Sequence, residues 1–392
     1  MKLKKLLALL LCSIMLISAC GDSSIPGMGD ILGRPEEESP YPLDVKVGFI
    51  YSGNAQEGTL NAIFETARFE VRRTLGAETC YIDNVLVKQF EEAVETLVDA
   101  GVNVIVATSN RYASAVVLMS KKHPTVSFIS FGGSERTGNM TSVQPLLYQA
   151  ANVLGFISAF NTVSNEIGMV IDQNFFNAYG IANAFALGVR ELPHAQIGLA
   201  VNWASSASYS DTRNAINDLV SNGCDIIFLY QSDSYGIKYC EELGVNVIAF
   251  AHNLPELAPE NFLSGMYFNF NSLIIDEVRK YMYGNENGEL FRRGLNHGTV
   301  GMITLNENLV KESTNVLANT LLDYILKDNS PVFGGEIRDM NGLLRVSKGS
   351  ELRDNEILSI NQWLVNNIGR ETFFSTAMTE DDVIYSDMKI KE

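Results

Sequence analysis

Seven short stretches of the sequence carry the groups that could hold or transform a small molecule. They are Tyr51-Ser52-Gly53-Asn54, Thr108-Ser109-Asn110, Phe131-Gly132-Gly133, Asp172-Gln173-Asn174-Phe175-Phe176, Asn202-Trp203, Gln231-Ser232-Asp233 and His252-Asn253. Amides, hydroxyls and aromatic rings dominate them, and charges are few. That mix suits a flat, uncharged molecule read by hydrogen bonds and held between rings. Asn, Ser, Gly and Asp are also what turns prefer, so a single stretch of this kind can be turn chemistry alone. Trp203 and Phe131 stand apart, because large aromatics are uncommon in exposed turns.

Catalytic spacings are largely missing. The four His, at 123, 194, 252 and 297, form no HExxH pair, and there is no GxSxG elbow and no phosphate-binding P-loop. After the first apolar run stands "GNAQEG" rather than GxGxxG. Asp172 and Asp233 could face each other as acid and base, but nothing in their spacing requires it. The residues therefore point to binding rather than turnover, with no cofactor, no metal and no catalytic residue expected.

These stretches follow runs that read as strands, and a repeat shows how the strands are arranged. "LVDAGVNVIV" at 97–106 returns as "LVSNGCDIIF" at 219–228, an offset of 122 residues, which is the size of a domain. Each copy reads as the end of an amphipathic helix, a Gly able to take the left-handed stop conformation, and an apolar β-branched run buried on both faces. That is one step of a parallel α/β layer. Similar order around each copy predicts two doubly wound lobes, with the candidate residues at the carboxyl ends of the strands, where ligands of open parallel sheets bind. A helix is predicted over 313–326, a turn at Asn341-Gly342, and a terminal helix near 356–367.

With 46% apolar and 19% charged residues, the chain has material for two cores. A formal charge of −17 with no basic cluster outside the N-terminus argues against a nucleic-acid partner. Lys2, Lys4 and Lys5 precede an apolar run from Leu6 to Ile17, of signal-peptide length and too short for a stable membrane anchor. Ile17-Ser18-Ala19-Cys20 then resembles the lipobox of bacterial lipoproteins, which predicts lipidation of Cys20 and attachment to the extracytoplasmic face of the cell membrane. Cleavage before Cys20 would remove three Lys and take the formal charge from −17 to −20. From Gly21 to Pro42 the composition is that of a tether. Cys80, Cys224 and Cys240 form no regular pattern. A Cys224–Cys240 bridge is conceivable, but buried thiols are the expectation.

Larger matches carry a family resemblance. "VKVGFIYSG", "LVDAGVNVIVATS", "HPTVSFISFGG", "FNAYGIANAFALGVRE", the stretch from "VNWASSASYS" to "IIFLYQSDS", "GLNHGTVGM" and "FGGEIRDMNGLL" occur in order between about Val45 and Gly369. Together they resemble the BMP (basic membrane protein) lipoproteins, substrate-binding proteins that include purine-nucleoside receptors of ABC transporters. The resemblance implies a type I periplasmic-binding fold, two α/β lobes closing on a ligand about a multi-strand hinge, with no turnover. It implies a small aromatic, purine- or nucleoside-like ligand and an ABC permease as partner, with the protein a monomer. The alternative is a ligand-sensing lipoprotein that signals to a membrane or regulatory partner.

The expected contacts are Ser52, Asn54, Ser109, Phe131, Phe175, Trp203, Gln231, Asp233 and Asn253. The resemblance adds Phe268 and Asn271. Phe131 stands at the strand end where the purine-nucleoside members place an Asp, and Phe268 falls near their Lys. The expected organisation is a signal peptide over 1–20, a tether over 21–43, and a first lobe of 44–163 with about 265–296. A second lobe of 164–264 with about 297–345 and a C-terminal extension over 346–392 complete it.

Overall fold

A computed structural model of the chain describes residues 44–55, 59–192, 196–250, 255–285, 287–327, 331–374 and 389–392. Cys20 and Asn253 lie outside these residues. The first lobe is built from β1 (Lys46–Ile50), α1 (Thr59–Leu75), β2 (Glu78–Ile82), α2 (Phe90–Asp99), β3 (Val104–Ala107), α3 (Ala113–Lys122), β4 (Ser127–Phe131) and β5 (Met140–Pro145). Helix α4 (Tyr148–Asn161) follows, and the second lobe opens with β6 (Glu166–Ile171), α5 (Ala178–Arg190), β7 (Gly198–Trp203), α6 (Tyr209–Ser221) and β8 (Ile226–Tyr230). It continues through α7 (Tyr235–Leu243), β9 (Asn246–Phe250) and β10 (Phe262–Phe268). The chain then adds α8 (Asn271–Met282), β11 (Leu290–Arg293), β12 (Val300–Ile303), α9 (Glu312–Leu326), β13 (Ile337–Arg338), β14 (Leu344–Val346), α10 (Asp354–Ile357) and β15 (Arg370–Phe373).

Two sheets result. The first has the order β11-β5-β4-β3-β1-β2 and is parallel throughout. The second has the order β12-β10-β9-β8-β6-β7-β15, with only β12 antiparallel. Buried runs such as Val104–Ala107 and Ile226–Tyr230 sit at the sheet centres because helices cover both faces, as parallel strands demand.

The duplicated phrase occupies matching places. Gly101 and Gly223 both take left-handed φ values, 82° and 89°, and each lets the next residue donate back to the helix, Val102 to Leu97 and Cys224 to Leu219. The side chain that follows then ties the strand to its surroundings: Asn103 accepts from the Lys46 N–H, and Asp225 from the N–H groups of Val163 and Ser164. The result is β3 at the heart of one sheet and β8 at the heart of the other.

From β1 to β15 the chain passes between the sheets three times, from β5 into α4, from β10 into α8, and from β11 to β12. Helices α4 and α5 lie backbone to backbone: a Cβ on Gly188 would sit 1.9 Å from the Asn152 carbonyl oxygen, so only glycine permits the approach.

The C-terminal segment departs from the terminal helix predicted near 356–367; only Asp354–Ile357 is helical. Its backbone instead bonds to other elements. Val365 N–H donates to the Asn183 side chain, Asn366 N–H to the Arg338 carbonyl and Met340 N–H to the Leu364 carbonyl. Tertiary partners outcompete local propensity there. The segment ends as β15, which pairs with β7, so part of the expected extension belongs to the second sheet. Further on, Lys391 pairs with Tyr81 and its ammonium sits 2.7 Å from Asp83 on the first lobe. Cys80, Cys224 and Cys240 are buried free thiols, and burial pushes Cys224 up to about 12.

Candidate ligand-binding cleft

The carboxyl ends of β1 and β3 meet those of β6 and β8 around a cavity of about 470 Å³. The first lobe contributes Ser52, Asn54, Ser109 and Asn110 to its wall, and the second contributes Asp172, Phe175, Ser232 and Asp233. Ser52, Asn54, Ser109, Phe175 and Asp233 are thus brought together as the strand-end rule predicts. One backbone bond crosses the gap, from Leu60 N–H to the Ser232 carbonyl at 3.3 Å.

The two cleft carboxylates differ in kind. Asp172 organises its own lobe: one oxygen accepts from Asn174 N–H at 2.9 Å and the other from Ser206 N–H at 2.8 Å. Asp233 accepts from Tyr235 N–H at 2.8 Å through Oδ1, while Oδ2 is buried with no hydrogen-bond partner among the described residues. Burial raises the Asp233 carboxyl from 3.8 to about 6, with the Tyr235 N–H pulling the other way and the Asp172 charge adding to the rise. Because both carboxylates come from the second lobe, they do not face each other across the gap.

Five other expected contacts lie elsewhere. Phe131 and Phe268 stack on each other, with centroids 5.1 Å apart at 22°, and are all but inaccessible. Phe64, Phe176 and Phe270 pack around Phe131 at 5.5, 5.4 and 6.4 Å, so the strand ends of β4 and β10 form an aromatic wall between the lobes. The Phe175 ring, by contrast, borders the cavity and leans on Tyr230 and Phe250. Trp203 is fully buried between Tyr179 and Phe373, and its indole N–H donates to Glu371 at 2.6 Å. The reason is β15: a strand more than 160 residues downstream covers β7 and turns an apparent rim residue into core. Gln231 is buried too and donates to Thr212 Oγ1 at 2.8 Å, supporting the loop behind the cavity. Asn271 opens α8, outside the cavity wall, with its N–H on the Asn269 side chain.

The cavity also holds residues the sequence reading passed over: Asn84, Arg111, Ser205 and Ser206. Asn84 follows β2, where the strand-end rule applies as well as anywhere, and its φ of 56° marks the spot. The serines lie just past Trp203, where the chain turns toward the gap. Among the described residues no group of His, Cys, Asp and Glu could hold a metal ion, and no helix is long and apolar enough to cross a membrane.

Two parallel-sheet lobes, three crossings and a polar cavity at facing strand ends define a two-lobed solute-binding protein of the type I periplasmic class. The profile of the Bmp family, described as ABC transporter substrate-binding protein PnrA-like, matches residues 44–330, and the chain belongs to that family. A purine-binding protein of Brucella abortus (strain 2308) is 23% identical over 321 residues, covering 81% of this chain and 91% of that one. Solved solute-binding proteins of ABC transporter systems share the fold. One from Aeropyrum pernix K1 has a TM-score of 0.63 at 13% identity over 75% of this chain and 93% of its own. Another, from Conexibacter woesei DSM 14684, has 0.59 at 13% identity over 73% and 97%. Proteins of this family are the extracytoplasmic binding components of ABC transporters, which take a small-molecule ligand to a permease.

Proposed function

We propose that this chain is a lipid-anchored receptor that captures a purine-type nucleoside and delivers it to an ABC permease. The observation that carries the ligand class is Asp233 Oδ2, a buried carboxylate oxygen without a partner among the described residues, at the wall of a 470 Å³ cavity. Two adjacent sugar hydroxyls are the donors such an oxygen needs, and their bonds to a charged acceptor are strong ones. Phe175 offers one ring face to a base, and the Asn and Ser side chains of both lobes can read its edge. The purine-binding relative supports this reading, as does the cavity volume, which lies within the range of small-molecule sites. The basic, apolar N-terminus ending at Cys20 supports the lipid anchor.

Mass spectrometry of ligand released from gently purified protein, followed by calorimetric titration with nucleosides, free bases and free sugars, tests the proposal. A nucleoside should bind at least about tenfold more tightly than its base or its sugar alone, because each half makes its own contacts. Binding of free sugars with no response to nucleosides would replace the purine reading. Incorporation of labelled lipid into wild type but not Cys20→Ala tests the anchor.

A further inference from the structure

A second cavity, of about 350 Å³, shares Asn110 with the first and is otherwise separate. Three parts of the chain build it: Ser134 and Gln144 from the first lobe, Phe176 and Asn177 from the second, and Asn355 and Ser359 from the C-terminal segment. The family match ends at residue 330, so the last two belong to the portion beyond it.

Its charge is unusual for this molecule. Arg292 on β11 is the one charged residue in the lining, and no carboxylate joins it. Arg292 also borders a neighbouring cavity of about 510 Å³ whose lining includes Glu351 and Asp354, so it divides a space with carboxylates from one without. Arg292 Nε donates to Gln144 Oε1 at 3.1 Å, and among the described residues the guanidinium makes no ion pair.

Asn177 shapes one side of the cavity. It caps α5 with a left-handed φ of 54°, and both Nδ2 and Oδ1 are buried without a partner among the described residues. The amide lies against Gly180 in the first turn of the helix, which fixes the chain that borders the cavity. The amino end of this 13-residue helix adds partial positive charge.

We infer that this cavity is a second binding site, for a small oxyanion such as a carboxylate or phosphate group. Arg292 provides the charge and the forked donors, and the Ser134 hydroxyl and the Asn355 amide provide neutral donors beside it. An anion held there ties both lobes and the C-terminal segment together. The site is separate from solute capture and stands whether or not a purine fills the larger cavity.

Isothermal titration of the purified chain with inorganic phosphate, and separately with malonate, at constant ionic strength in chloride tests the inference. At least one anion should give a saturable isotherm, and the two arms tell phosphate from carboxylate recognition. Arg292→Gln should weaken that binding about tenfold or more, and Asn355→Ala about threefold. Ser359→Asp, which sets a carboxylate at the exposed edge, should abolish it and serves if Arg292→Gln fails to fold. Asp233→Asn should leave it unchanged. Absence of saturable binding by either anion, or equal binding by wild type and Arg292→Gln, overturns the site.

Discussion

Between the lobes lie two regions made from neighbouring strand ends. The ends of β1, β3, β6 and β8 carry Ser, Asn, Asp and one ring, and leave a cavity of about 470 Å³. The ends of β4 and β10 carry Phe131 and Phe268, which meet face to face and leave no space. The hydrogen-bonding groups of the first region keep water or solute as a partner. The rings of the second satisfy each other, since burying a large apolar side chain stabilises by roughly 1.5–3 kcal/mol. One region is therefore expected to govern affinity and the other to govern stability.

The sharpest test truncates the wall. Phe268→Ala or Phe131→Ala should cost about 3–5 kcal/mol of folding stability in denaturant titrations, as buried Phe→Ala changes do. Solute affinity should change by less than about threefold, well under 1 kcal/mol. Loss of binding by a variant that remains folded would make the rings ligand contacts and end the distinction. Trp203→Ala belongs with the wall: it should remove about 3–5 kcal/mol of stability through the Tyr179, Phe373 and Glu371 contacts and leave affinity unchanged.

Asp233→Asn should show the opposite pattern. Removing a charged acceptor should cost about 1.5–3 kcal/mol of binding, roughly 10- to 100-fold. Stability should rise at neutral pH. The folded chain holds the Asp233 proton up to about 6 and the unfolded chain releases it near 4, so between these values the folded state binds more protons and loses stability as pH increases. The Asn variant lacks that loss, and a thermal melt at pH 7.5 should exceed wild type while the two converge near pH 4.

Ligand hydroxyls favour the charged carboxylate, so wild-type affinity should fall by up to about tenfold per pH unit below 6 and the Asn variant should be flat. An identical profile in both would remove Asp233 from the site. The smallest effect is expected of Phe175→Ala, about 1 kcal/mol or fivefold in affinity for nucleosides and none for free sugars. A larger loss for sugars would place the ring elsewhere on the ligand.

Much of the lobes could be read directly from residues. The twin phrases at 97–106 and 219–228 announced two similar sheets because their glycine stops and apolar runs are local signals, and Ser109 and Asp233 followed from the rule that parallel strands present ligands at their carboxyl ends. Trp203 was misplaced because the strand that buries it comes far later in the chain, beyond any local pattern. Phe131 stands out as an aromatic at a strand end and Phe268 through the family resemblance, but nothing short of a fold could pair them. The segment 356–367 reads as helical, but the helix stops at Ile357, because the backbone beyond it finds partners on α5 and β13.

Local chemistry thus settled most elements of the two lobes and their parallel order, since helix stops, buried strands and turns act over a few residues. Tertiary structure alone decided which strand-end loops stay open and which seal. Whether a side chain at a strand end meets solvent or another ring depends on elements that join it from well over a hundred residues away, and burial exists only once they arrive.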